Sequence, residues 1–154
     1  MRPTQLGEGY RGAHGPIGYL LRQTIHSFNT AMETGLQRYG LSSAQFGALF
    51  VLAEEPGLSA ADVGRAMGTT PQAANLLIAG MEREGLVRRT PHPTHGRILE
   101  IYPTDEGIRR FRASRPFIRR LEDQMSADLT KAEVGIVKRW LVDASRAAAA
   151  STTR

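Results

Sequence analysis

LSAADVGRAMGTTPQAANLLIAGMEREGLVRRT, residues 58–90, decides how the rest of the chain is read. Ser59 opens a short helix, with Leu58 and Val63 as an apolar staple across its start. Ala60, Val63, Ala66 and Met67 give that helix its apolar face, and Gly68 breaks it. Thr70-Pro71 opens a second helix. Threonine accepts a hydrogen bond from an orphan amide, and proline suits the first helical position, where no donor is needed. Ala74, Leu77, Ile78 and Met81 share one face of this helix, and Gly85 stops it. Helix, glycine turn and helix in this order form a helix-turn-helix. An ordinary helical hairpin carries the same signals, so the flanks must arbitrate.

Downstream, Leu86 to Thr90 reads as a strand, PHPTHG (residues 91–96) as a loop tip, and Arg97 to Tyr102 as a second strand. Leu99 and Ile101 alternate there against Glu100 and Tyr102. A helix-turn-helix followed by a hairpin with arginines on its strands is a winged helix. Thr104, Asp105 and Glu106 start another helix, with acids at the positive end of its dipole. Its stripe is Ile108, Phe111, Phe117, Ile118, Leu121 and Met125, and Pro116 inside it predicts a kink or break. A last helix begins at the capping box Thr130/Glu133, with Val134, Val137 and Leu141 facing inward and Trp140 extending that surface. The alanine-rich end is expected to fray.

Upstream, Ile17, Leu21, Ile25, Phe28, Met32, Leu36 and Tyr39 recur every three or four residues, one face of a long amphipathic helix that Gly40 ends. Ser42 and Gln45 form a second capping box, stapled by Leu41 and Phe46, and Pro56-Gly57 ends that helix. The first fifteen residues are glycine-rich and aperiodic, and read as a flexible arm. The expected organisation is an arm at 1–15, dimerisation helices at 16–40 and 104–145, a winged helix-turn-helix DNA-binding domain at 41–103, and a frayed tail at 146–154. The expected class is mainly α with a small β-wing.

Composition narrows the function. The chain has 154 residues with 20 basic and 15 acidic side chains, a net charge of +5, and 41% apolar residues, enough for a packed core. All of the basic side chains but Lys131 and Lys138 are arginine, whose planar fork suits phosphates and base edges. The excess lies mostly at 104–154, with eleven basic and seven acidic groups. A solvated basic surface has the same composition. No cysteine is present, which excludes disulfides, thiolate catalysis and cysteine-bound zinc. No apolar run reaches the ~18 residues of a membrane span, so a cytoplasmic protein without membrane partners is expected. Gly-rich phosphate loops, HExxH, G-x-S-x-G and clustered acids with histidine are all missing, so no enzyme and no cofactor are expected. His92 and His95 are three apart, but no cysteine or nearby acid completes a metal site in the sequence.

The order of these signatures resembles the MarR family of bacterial transcription regulators over roughly Ile17 to Leu141. LSSAQFGAL (41–49) is similar to the family's second-helix opening, residues 58–89 to its helix-turn-helix, and HPTHGRILEIYPTDEG (92–107) to its wing and next helix. The resemblance implies a dimer on double-stranded DNA, acting as a repressor of palindromic operators and modulated by a small aromatic or phenolic acid. It departs at two places: His95 stands where family wings carry an acid before the tip arginine, and Leu76 where the recognition helix often has arginine.

On this reading Gln72 and Asn75 are the long amides that bind adenine bidentately, while Ala73 and Leu76 touch thymine methyls, so AT-leaning sites are expected. Thr69 and Thr70 lie near phosphates, Thr70 also being a pure cap. Arg97 enters the minor groove or clamps phosphate. Of Arg88 and Arg89 one faces DNA and the other solvent, because strand side chains alternate. Arg65 is a further phosphate candidate, and protonated His95 would add charge at the wing. Half-sites about one helical turn apart would be read by a symmetric dimer. Packing of the outer helices within a monomer competes with that. The region implied for the effector draws on Arg22, His26, Phe46, Phe50 and Arg112, with Arg22 and His26 on one helix face. The plainer alternative makes His26 a surface residue and both phenylalanines core. The rival function is a winged-helix protein-interaction module that does not bind DNA.

Overall fold

The computed structural model describes residues 2–94 and 98–151. They form six α-helices and one antiparallel hairpin: α1 Ile17–Leu36, α2 Ser43–Glu54, α3 Ala60–Met67, α4 Pro71–Arg83, β1 Val87–Pro91, β2 Leu99–Pro103, α5 Asp105–Met125 and α6 Lys131–Ser151. The mainly α winged helix expected from the sequence is the fold observed. Two compact units divide the chain, residues 1–116 and 117–154.

In the first unit the caps place the elements. Ser42 and Gln45 form the expected capping box, with Gln45 N donating to Ser42 Oγ over 3.1 Å and Ser42 N to Gln45 Oε1 over 2.9 Å. Ser59 is also a full capping box, closed by Asp62. Thr70 accepts from the Ala73 amide, with Pro71 at the first helical position. Gly40 and Gly68, both at φ 66°, and Gly85 at φ 71° are the left-handed glycines at helix ends. Leu36, Leu49, Leu52, Val63, Ala74, Ile78, Met81, Leu86 and Ile101 are fully buried and make the core. It lies between the helix-turn-helix, α2 and the base of the hairpin.

The hairpin pairs Val87 with Pro103, Arg89 with Ile101 and Pro91 with Leu99. Both strands therefore run one or two residues later than expected. Ile101 is buried, but Leu99 is exposed because it lies opposite Pro91, beyond the core. Ala66, expected on the apolar face of α3, is exposed, and Gly64 is buried in its place. Gly64 lies against Ala74 of α4, while the end of Met67 reaches Gly47 of α2.

Three segments are more regular than their local sequence signals. The amino-terminal segment contains a 3-10 turn at Gly9–Arg11, with Arg11 donating to the Thr4 carbonyl at 2.9 Å and Tyr10 set edge-on to Tyr19 at 5.4 Å. Helix α5 continues through Pro116 without a break. Proline removes one amide donor there, and the carbonyl it would have served belongs to exposed Arg112, on the side where solvent can take the place of that donor. Helix α6 runs through the alanines to Ser151, since alanine has the best intrinsic helix propensity.

In the second unit, α6 has no buried residue. Val137, Trp140 and Leu141, expected to face inward, are exposed, as are Ile136 and Val142. On α1, Ile17, Leu21 and Ile25 are likewise exposed, and only Met32 and Leu36 of its apolar face are buried. The inward orientation expected of Val137 and Leu141 is thus not found within the single chain.

Candidate nucleic-acid interface and ligand hollow

Helix α4 buries Ala74, Ile78 and Met81 and thereby turns Gln72, Ala73, Asn75 and Leu76 outward, all exposed. No charged side chain occurs between Pro71 and Met81. At the helix start Pro71 has no amide hydrogen and the Ala73 amide is taken by Thr70 at 3.2 Å, so few backbone donors are left to point outward. Thr69 and Thr70 are exposed beside them. Arg65, exposed on α3, is paired with Asp62, whose carboxyl is held below its ordinary pKa by the Ser59 hydroxyl and also by that arginine.

The two arginines of β1 diverge, as strand alternation requires. Arg88 is exposed. Its guanidinium lies 4.7 Å from the centre of the Tyr102 ring and donates to Thr90 Oγ1 at 2.7 Å. Arg89 lies on the core side, half-buried, 3.5 Å from Glu82 of α4. It therefore faces the recognition helix rather than open solvent. Around Arg88 the hairpin carries a polar chain: Tyr102 donates to Glu100 at 2.9 Å, and His92 Nε2 lies 3.6 Å from Glu100. Hydrogen bonding to Glu100 raises the Tyr102 hydroxyl above its ordinary pKa. Sequence reasoning missed Tyr102 and Glu100 as partners and saw no acid near His92. The cross-strand register, Arg88 opposite Tyr102, was the signal that finds them. His95 and Arg97 lie outside the described residues. Among the described residues no cluster of histidine and acids is arranged to hold a metal ion.

Two polar links tie this lobe together. Gln45, while capping α2, donates to Glu84 at the end of α4 over 3.0 Å. Arg110 donates to the Gly40 carbonyl at 2.9 Å and to Glu106 at 2.7 Å. Glu106 accepts from Arg109 as well, and these two guanidinium groups lower its carboxyl to about 2.

The effector candidates separate into two groups. Arg22 and His26 border an open hollow of about 460 Å³ together with Gln23, Ile25 and Asn29. Phe46 is buried, with its ring 5.2 Å from that of Phe111, while half-exposed Phe50 sits edge-on to Phe111 at 6.5 Å. Arg112 is exposed on α5. Phe46, Phe50 and Arg112 do not border the hollow.

The sequence profile of the MarR family matches residues 39–98. The HTH-type transcriptional repressor Rv2887 of Mycobacterium tuberculosis is 30% identical over 126 residues, 82% of this chain and 91% of the relative. The crystal structure of that MarR family protein with salicylic acid has a TM-score of 0.67 at 29% identity, covering 85% of this chain and 97% of the other. The PcaV transcriptional regulator from Streptomyces coelicolor, in complex with its natural ligand, has a TM-score of 0.77 at 25% identity, covering 96% and 99% of the two chains. Among the described residues no helix is long and apolar enough to cross a membrane.

Proposed function

Because the chain belongs to the MarR family of transcriptional regulators, we propose that it is a repressor that binds palindromic double-stranded DNA as a homodimer and is released by a small aromatic acid. The observation that carries this reading is the outward face of α4. A helix capped by Thr70-Pro71 and anchored by Ala74, Ile78 and Met81 holds Gln72, Ala73, Asn75 and Leu76 clear of the protein. Amides and small apolar groups on the first turns of a recognition helix match base edges in the major groove. Thr69, Thr70, Arg65 and Arg88 flank this face as phosphate contacts, and His95 and Arg97 belong to the same wing in sequence. Arg89 supports the interface by bracing the hairpin against α4 through Glu82.

One winged lobe with so few base contacts binds weakly, and a two-fold dimer doubles them. The exposed apolar residues of α1 and α6 support such pairing. Arg22 and His26 at the hollow supply a cation and a hydrogen-bonding ring for a carboxylate. The relative solved with salicylic acid supports that ligand class.

Fluorescence anisotropy on a duplex selected by the purified protein from random sequence tests the central claim. Affinity is expected to fall by about a thousandfold or more between 50 and 200 mM salt, as counterions released by phosphate contacts are restored. Salt-independent binding, or none, would leave the protein-interaction reading in its place.

A further inference from the structure

Between Leu58 and Thr94, Leu76 is the one large apolar side chain that stands exposed among the described residues, with 76% of its surface open. The exposed apolar side chains of α1 and α6 lie on the faces assigned above to a second copy. Leu76 instead projects from the middle of α4, on the face away from Ala74, Ile78 and Met81. Three of its four neighbours one turn away are small. Ala73 precedes it by three residues, and Ala79 and Gly80 follow it by three and four. A Cβ added at Gly80 would meet only the end of Arg83, at 3.9 Å, so open space lies beside the leucine. The result is a single apolar knob on a shallow surface. Gln72, one turn before it, and Asn75, its immediate neighbour, are the long polar side chains there.

We propose that Leu76 reads the C5-methyl group of a pyrimidine in the major groove, and that this contact fixes one base pair in each half-site. The inference rests on the DNA-binding reading above and goes beyond its thymine contacts at Ala73 and Leu76 in two ways: it assigns the discrimination to Leu76 alone and extends it to any C5-methylated pyrimidine. Thymine carries the only methyl group that ordinary bases present in the major groove. A leucine has no donor or acceptor with which to distinguish other base edges, so its discrimination comes from covering that methyl. 5-Methylcytosine carries the same methyl at the same ring carbon. The ligand class is therefore a C5-methylated pyrimidine rather than thymine alone. The small residues around Leu76 let the helix backbone come close enough for the contact.

The test uses the full-length protein and a duplex it has selected from random sequence. Each thymine is replaced in turn by deoxyuridine, which removes the methyl and leaves the pairing intact. At one position per half-site the replacement is expected to weaken binding about fourfold, the effect of one methyl no longer buried. L76A is expected to bind the unmodified duplex more weakly and to be indifferent to deoxyuridine at that position. Leu76 packs on nothing in the core, so this variant folds. At the same position, 5-methylcytosine is expected to bind more tightly than cytosine with the wild-type protein and equally with L76A. A flat deoxyuridine profile in a protein that binds DNA with the salt dependence above would overturn this inference alone. So would an L76A variant that keeps the wild-type sensitivity. Failure to bind any duplex would overturn the DNA-binding reading and this inference with it.

Discussion

At the scale of single residues, charge and hydrogen bonding set what each group can do. Glu106 is the clearest case, because Arg109 and Arg110 both donate to it and hold its carboxyl at about 2. A carboxylate whose folded pKa is depressed stabilises the fold above its unfolded pKa, near 4.5, and that contribution is lost as pH falls through the folded value. Urea midpoints of wild type and E106Q are therefore expected to differ at neutral pH and to converge between pH 4.5 and 2. A constant difference across that range would show that the ion pairs contribute nothing to folding. Arg22 invites a second test. If it anchors a carboxylate at the hollow, salicylate weakens duplex binding by the wild type, while R22A binds DNA normally and loses at least tenfold in salicylate sensitivity, the effect of one charge-assisted pair. A panel of such acids that leaves wild-type affinity unchanged would remove the effector from the reading. The capping residues Ser42, Ser59, Thr70 and Thr130 were legible from the sequence because a cap is a local device of a few positions. The Arg88–Tyr102 stack and the Gln45–Glu84 bond were not, because each depends on how distant segments come together.

At the scale of elements, the order of helices and strands was readable because periodicity and punctuation are written locally. Register was not. The hairpin lies one or two residues later than expected, since alternation alone does not say which Leu or Ile reaches the core. At Pro116 the sequence allows a kink or a break, and of these the break does not occur, because a helix exposed at Arg112 can leave one carbonyl to solvent. One junction shows how tightly the elements meet. Gly107 opens α5 against the end of the helix-turn-helix, where Thr104 donates to the Gly85 carbonyl at 2.6 Å and the Gly107 amide donates to Thr104 at 3.1 Å. A Cβ at Gly107 would collide with the Leu86 carbonyl oxygen, and Leu49 closes the other side at 3.2 Å. The backbone atom cannot rotate away as a side chain does. G107A is therefore expected to destabilise the protein by about 2–3 kcal/mol, at the upper end of overpacking costs. G80A, in open space, is expected to be neutral or slightly stabilising, since alanine favours helix by about 1 kcal/mol. Thermal melts of the two variants decide this, and equal melting temperatures would show that the α5 junction yields.

At the scale of the whole molecule, the question is what covers the apolar faces that the single chain leaves open. Ile17, Leu21 and Ile25 on α1, and Ile136, Val137, Trp140, Leu141 and Val142 on α6, are all exposed. Ile17, Leu21 and Ile25 share one face of α1, and Ile136, Val137, Trp140 and Leu141 share one face of α6, each a continuous stripe, while Val142 lies on the other side of α6. Stripes of this kind mark association sites. Sedimentation of the wild type is expected to give a dimer at micromolar concentration. W140D places a charge in the middle of the α6 stripe. Trp140 is not buried in the chain itself, so the variant is expected to keep its helical content and melt cooperatively while sedimenting as a monomer. Loss of the second lobe removes the gain from bivalent binding. Affinity for a two-half-site duplex should then fall by about 100-fold or more, while affinity for an isolated half-site changes little. These two measurements on the same variant separate assembly from base recognition. If W140D remains dimeric, the α6 stripe is not the contact. If it is monomeric yet binds the full operator as tightly as wild type, the two lobes act independently and palindromic recognition by a dimer does not hold.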